Sequence, residues 1–137
     1  MTPAHLDSAF VIELLRETVR GRPGGALDWI ESADERDTLA ASVHVVCELR
    51  AGAELARHPL KEHEALNEIL SAMLIVYPDD RFAPPYAPIL AAVQTMKSRI
   101  ATMDLLIATA ALLDDAPLVT RNARDFAPVP ELRLIRY

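Results

Sequence analysis

Leu74-Ile75-Val76-Tyr77-Pro78 is the stretch from which the fold is read. Four apolar residues, two of them β-branched, are stopped by a proline, the pattern of a short strand. Upstream, Pro59 stands near the first turn of a helix that lasts to about Met73. Downstream, Pro78 to Pro88 holds four of the ten prolines and reads as a connection into a helix from about Tyr86 to Ile100. Moving outward, Thr38 to Val43 reads as a buried strand followed by a helix from about His44 to Ala56. Met103 to Asp114 is a helix with little polar surface, hence a buried one. Pro117 to Thr120 is a strand, Asn122 to Phe126 a turn, and Leu132 to Ile135 a last strand. At the other end, residues 2–6 form a short strand. Ser8 caps a helix from Ala9 to about Arg20, whose apolar positions are Phe10, Ile12, Leu14 and Leu15. Gly21 to Gly25 is a loop, and Ala26 to Ser32 a short helix. Strands alternate with helices four or five times. That order predicts an α/β fold, a short parallel sheet covered by helices.

The 137 residues suffice for one domain spanning 1–137, and 51% hydrophobic with 25% charged residues is an ordinary globular balance. No apolar run reaches the roughly 18 residues of a membrane span. The longest, Leu105 to Leu113, is interrupted by Thr109. No basic segment precedes an apolar stretch at the N-terminus, so no signal peptide is expected. The single Cys47 excludes an intramolecular disulfide and a Cys-rich zinc site. A reducing cytosol is the expected compartment. A net charge of −6 makes a poor general nucleic-acid sponge, although an acidic chain still acts on nucleic acid where its acids hold metal and its basic groups are placed locally. Seven aromatic residues do not make a stacking platform.

In open α/β folds, chemistry gathers outside the carboxyl ends of the strands. Asp7 follows the first strand there. Glu48 lies one turn into the helix after the second, and Asp104 opens the buried apolar helix. Thr120, Asn122 and Asp125 follow the fourth strand. Two carboxylates about 4 Å apart repel by about 4 kcal/mol at an effective dielectric near 20. Such a cluster calls for a cation, and oxygen-only ligands suit Mg²⁺ or Mn²⁺. Each residue also has an ordinary reading. Asp7 caps a helix, Glu48 is a surface residue beside Arg50, and Asp104 meets a helix dipole. Thr120 and Asn122 serve a turn, and Asp125 caps a final turn or pairs with Arg124. Residue types and spacing leave both readings open.

Four local sequences carry a resemblance. Leu6-Asp7-Ser8-Ala9-Phe10-Val11-Ile12 resembles the opening of PIN-domain ribonucleases. Ser42 followed by Glu48-Leu49-Arg50-Ala51-Gly52 resembles their second block. Asp104-Leu105-Leu106-Ile107-Ala108-Thr109-Ala110 is similar to the third, and Leu118-Val119-Thr120-Arg121-Asn122-Ala123-Arg124-Asp125-Phe126 to the fourth. The blocks occur in family order over nearly the whole chain. Size and the ending Val129-Pro130-Glu131-Leu132-Arg133-Leu134 look most like the VapC-type toxins of toxin–antitoxin pairs. Departures are Pro3 and His5 where aliphatics are usual, Val45 where a Thr is common, and no Gly shortly before Asp104, since none follows Gly52.

The resemblance implies a PIN-like three-layer sandwich and a Mg²⁺-dependent endoribonuclease, with Mn²⁺ as an alternative ion. It implies Asp7, Glu48 and Asp104 as metal-binding carboxylates, with Asn122 at the fourth position and Asp125 as a nearby acid. Thr120 and Ser8 would support the site. It also implies a homodimer, an RNA substrate and a cognate antitoxin. Two other functions remain as alternatives: a catalytically inactive PIN-like RNA- or protein-binding module, and a phosphotransfer domain using Asp7 as acceptor. The latter lacks a late lysine, since none follows Lys97. Elsewhere, Cys47 reads as a small buried side chain, His44 as structural, and His58 with His63 as a solvated helix face. Arg50, Arg57, Lys61, Lys97 and Arg99 read as solvated charges or phosphate contacts.

Overall fold

Strands β1 (Ala4–Leu6), β2 (Leu39–Ser42), β3 (Leu74–Val76), β4 (Leu118–Val119) and β5 (Leu134–Ile135) pair into one parallel sheet in the order β3-β2-β1-β4-β5. The computed structural model describes residues 3–22, 24–33 and 38–137. Thr2 and Pro23, read above as parts of the first strand and the glycine-rich loop, lie outside the described residues. Each crossover carries helix: α1 (Ser8–Arg20) and α2 (Gly25–Ser32), α3 (Val43–Glu54) and α4 (Pro59–Ser71), α5 (Ala83–Thr95) and α6 (Thr102–Leu113), then α7 (Ala123–Phe126). Parallel pairing requires such crossovers, and they cover both faces of the sheet. The expected three-layer α/β sandwich is therefore the observed one. No helix among the described residues is long and apolar enough to cross a membrane.

β1 is the central strand. Ala4, His5 and Leu6 are all buried, with His5 opposite Ala40 on one side and Leu118 on the other. The unusual His5 is accommodated because its Nε2 lies 2.6 Å from Asp114 Oδ2, just past α6. Phe10, Val11, Val45, Leu66, Leu105 and Ile107 fill the core around the sheet.

Several boundaries differ from the sequence reading. Asp7, not Ser8, is the N-cap of α1, its Oδ1 accepting from Phe10 N at 2.8 Å. Ser8 is already helical, and Ile12 is exposed while Val11 is buried. α5 begins at Ala83, inside the segment read as connection. Pro84 and Pro85 fit because first-turn N–H groups have no intrahelical partner to lose, while Pro88 lies inside the helix and forgoes one backbone bond. It ends at Thr95 rather than Ile100. Lys97 turns left-handed (φ 54°) and Ser98 N closes back on Val93 O at 3.1 Å, which stops the helix. Residues 122–126, read as a turn, contain the short helix α7.

The α1–α2 junction is tied by a buried carboxylate. Glu17 accepts from Ala26 N at 3.2 Å and from Leu27 N at 2.9 Å, so it satisfies the first free N–H groups of α2. A Cβ on Gly24 would collide with the Glu17 carboxylate, which its two hydrogen bonds hold in place. Gly24 is extended (φ −168°), so space and not backbone strain demands glycine here. Glu17→Ala should lower stability by about 2 kcal/mol, the cost of leaving buried donors unpaired. Urea denaturation should show a lower midpoint with an unchanged slope.

Candidate active site

The site forms where the carboxyl ends of β1 and β4 meet the starts of α1, α3 and α6. Asp7 leaves β1 already buried, at 3% exposure. Its Oδ1 caps α1, and its Oδ2 accepts from Thr120 Oγ1 at 2.5 Å across 113 residues of chain. Thr120 Oγ1 in turn accepts from Asn122 N at 2.9 Å. One hydroxyl thus links the end of β4 to Asp7 and fixes the turn into α7. Ser8 Oγ donates to Glu48 Oε1 at 2.6 Å, joining the starts of α1 and α3.

Asp104 stands in the first turn of α6, where the helix dipole favours a charge. Its pKa is nonetheless pushed up to about 6, first by burial and then by Glu48, Asp125 and Asp7. Burial also raises Asp7, outweighing the hydrogen bonds from Thr120 and Phe10, and Glu48 adds to the rise. The structure therefore brings Asp7, Glu48, Asp104 and Asp125 within electrostatic reach of one another. Asn122 joins through its backbone, at the N-cap of α7; its side chain is exposed and makes no capping bond. Among the described residues, no three Asp, Glu, His or Cys side chains converge closely enough to enclose one metal ion. The donors that do approach are all oxygens.

Other sequence candidates fall elsewhere. Cys47 is exposed, correcting the buried reading; it lies beside Glu48 on the outer side of α3. His63 Nε2 lies 2.9 Å from Glu54 Oε1, and Arg50 reaches both His63 and Asn67, a surface network between α3 and α4. His44 packs on the Phe82 ring at 5.5 Å, and burial lowers its pKa.

Three residues near the site escaped the sequence reading. Arg121 forms an ion pair with Glu13 and lies over the Tyr137 ring, 5.5 Å from its centroid. Tyr137 packs edge-on against Phe10 at 4.7 Å. Burial, then Glu13, pushes the Tyr137 phenol above its usual range, and the Asp7 charge contributes to the shift. Arg121 sits inside the fourth sequence block, which was the available signal for it. Nothing in the spacing of Glu13 or Tyr137 marks them.

A groove of about 300 Å³ opens beside the site between α1, α3 and α4. Ile12, Leu15, Val19, Leu49, Ala53 and Leu66 are among its lining residues, and Glu48 lies on it. Leu55 and Leu60 are 88% and 73% exposed and stand outside this groove.

Comparison with known proteins gives a consistent set of matches. The PIN domain family profile matches residues 4–132. Ribonuclease VapC2 of Rickettsia felis is 26% identical over 116 residues, covering 85% of this chain and 87% of that protein. The crystal structure of Rickettsia felis VapBC2 bound to a promoter DNA fragment contains a chain that superposes with TM-score 0.87 at 23% identity, covering 98% of each. A chain of FitAcB from Neisseria gonorrhoeae superposes with TM-score 0.80 at 26% identity, covering 96% of each.

The acidic cluster makes a pH-dependent prediction for the metal-free chain. Asp104 titrates at about 6 when folded, above its ordinary 3.8, so the folded chain takes up this proton first as pH falls. Ionised Asp104 therefore weakens the fold above that pH, and the handicap fades as pH falls to about 4. In excess chelator, Asp104→Asn should melt above wild type at about pH 7.5. The gap should close near pH 4 in a pH series of thermal melts.

Proposed function

The chain belongs to the PIN-domain family, and on that premise we propose that it is a divalent-metal-dependent endoribonuclease, the toxin of a toxin–antitoxin pair. The observation that carries the reading is the charge frustration at Asp104. A carboxyl group whose pKa is pushed up to about 6, first by burial and then by three neighbouring acids, belongs to a site that works with a cation present. Asp7, Glu48 and Asp104 would hold the ion. Mg²⁺ takes one or two protein carboxylates and keeps several waters, a style of coordination compatible with a loosely converging oxygen set; Mn²⁺ suits the same donors. When bound, the ion supplies positive charge that lowers the pKa of water and offsets the charge developing on a phosphodiester in flight.

The chain's own residues do the positioning. Thr120 and Phe10 N hold Asp7 in one orientation from opposite sides. Ser8 holds Glu48 toward the start of α1. Asp104, in the first turn of α6, would face the ion as the third carboxylate, and the positive charge there would offset the repulsion from its acidic neighbours. Asp125 adds charge to the cluster, and Asn122 at the fourth family position leaves that corner neutral. The products are two RNA fragments, one of them carrying the oxygen of the water.

The groove between α1, α3 and α4 would receive an apolar helix of the antitoxin. That relatives crystallise as VapBC complexes supports an antitoxin partner. A basic side chain reaching from the groove past Glu48 would pair with the site's carboxylates in place of the cation. A homodimer working in the cytosol completes the reading. Loss of catalysis, leaving a binding module, is disfavoured by the intact Asp7, Glu48 and Asp104 set.

Asp104→Asn should lower cleavage of bulk RNA by at least about 100-fold while keeping the fold, measured by gel assay beside a melt. Wild-type activity should vanish in excess EDTA and return with Mg²⁺ or Mn²⁺; full cleavage in chelator would refute the metal reading. Glu48→Ala should weaken antitoxin binding as well as cleavage, by a few kcal/mol in calorimetry, because a charge-assisted partner is lost. Equal affinity for both would place inhibition away from the acidic site.

A further inference from the structure

Arginines gather on one side of the acidic site. Arg121, between Thr120 and Asn122 in sequence, is 58% exposed at its side chain, yet held at two points by Glu13 and the Tyr137 ring. With one Nη on Glu13, its other N–H groups remain available to a second anion. Glu13 also borders a depression of about 340 Å³ that Arg16, Arg20 and Arg22 line with Glu17 and Gly24. Arg16 and Arg20 follow Glu13 along one face of α1, about 4.5 and 10.5 Å further on at helical rise. The two acids in this region are already engaged: Glu17 caps α2 with both oxygens, and Glu13 pairs with Arg121. Among the described residues, Arg16, Arg20 and Arg22 have no ion-pair partner. At the depression and Arg121 together, this is four cations against two committed carboxylates in a chain of net charge −6; Arg16 and Arg20 also line the groove that Glu48 and Glu62 border.

We infer that Arg121, Arg16, Arg20 and Arg22 form a track for the phosphates of the substrate RNA, leading along α1 to the acidic site, with Arg121 as the anchored contact nearest the reaction. The inference rests on the ribonuclease reading above and adds where the strand runs. Glu13 and Tyr137 are positioning residues. They hold the guanidinium fork before RNA arrives, so less freedom is lost when it binds a phosphate. The track's length lets more than one phosphate be met, which explains how an acidic protein retains a polyanion beside four carboxylates.

The test uses the full chain and a short fluorescein-labelled single-stranded RNA, with Ca²⁺ replacing Mg²⁺ to limit cleavage. Anisotropy gives Kd between about 50 and 200 mM salt for wild type, Arg121→Gln, Arg121→Lys and the triple variant Arg16→Gln, Arg20→Gln, Arg22→Gln. Thermal melts and wild-type cleavage in Mg²⁺ run alongside. Each lost phosphate contact should flatten the log–log salt slope by about 0.7, so Arg121→Gln loses about 0.7 and the triple variant about 2. Arg121→Lys should keep the slope but not the full affinity, because the charge stays and the fork goes. A purely structural Arg121 would lower the melting temperature and leave the slope alone, which overturns its role here. If wild type binds and cuts RNA and the glutamine variants match its Kd and slope, the track is overturned while the ribonuclease reading stands. The arginines would then serve an acidic protein segment. If wild type neither binds nor cuts RNA, both readings fall.

Discussion

Asp7 is a carboxylate withdrawn from water at the point where β1 ends and α1 begins, and the rest of the site is arranged around the cost of putting it there. A buried charge must be solvated by the protein, and two donors do this, one from its own helix start and one from the end of β4. The Thr120 bond crosses from one strand end to the neighbouring one, so it can form only when β1 and β4 are paired in register. The cap and the acid are the same residue. The ordinary reading of Asp7 as a helix cap and the chemical reading of it as a site residue are thus compatible, which spacing alone could not reveal.

Around this fixed acid the other carboxylates are arranged with far less support. Glu48 is exposed and has one hydrogen bond, while Asp104 has burial and repulsion. The rigid member lies deepest and the adjustable members nearer solvent. That gradient suits a site that closes around an ion and a strand, because the shell can move while Asp7 keeps the register. The basic residues lie outside this cluster but border it, Arg121 between Thr120 and Asn122 in sequence and Arg16 with Arg20 on the groove that Glu48 also lines.

Much of this was legible from the chain, unevenly. The alternation of strands and helices gave the parallel sheet, because period and punctuation are local properties. The stretch that read most clearly, Leu74 to Tyr77, proved to be the edge strand, with Leu74 and Tyr77 52% and 69% exposed. Apolar β-branched runs report strand propensity, not rank in the sheet. The innermost strand, with its buried His5, read least clearly, since its partner Asp114 is 109 residues away. Proline punctuation misled at α5, where Pro84 and Pro85 belong to the helix start. Asp7, Glu48, Asp104 and Thr120 could be picked out at strand ends and helix starts. The Glu13–Arg121–Tyr137 arrangement could not, because it is assembled from three distant segments that share no pattern.

The double duty of Asp7 also separates the fates of chains that lose activity. A variant lacking the Asp7 carboxylate leaves two buried donors, Phe10 N and the Thr120 O–H, without an acceptor, and pays for silence with stability. A variant neutralised at Asp104 is relieved of repulsion. In a cell, quality-control proteases act on the transiently unfolded fraction, so the first kind of silent chain is cleared and the second accumulates. The accumulated chain keeps its groove and its remaining carboxylates. On the toxin–antitoxin reading proposed above, it would act as a sponge for the antitoxin, raising the effective dose of any intact copy made beside it. The position of a silencing substitution within one cluster of acids therefore decides whether the damaged copy is inert or dominant.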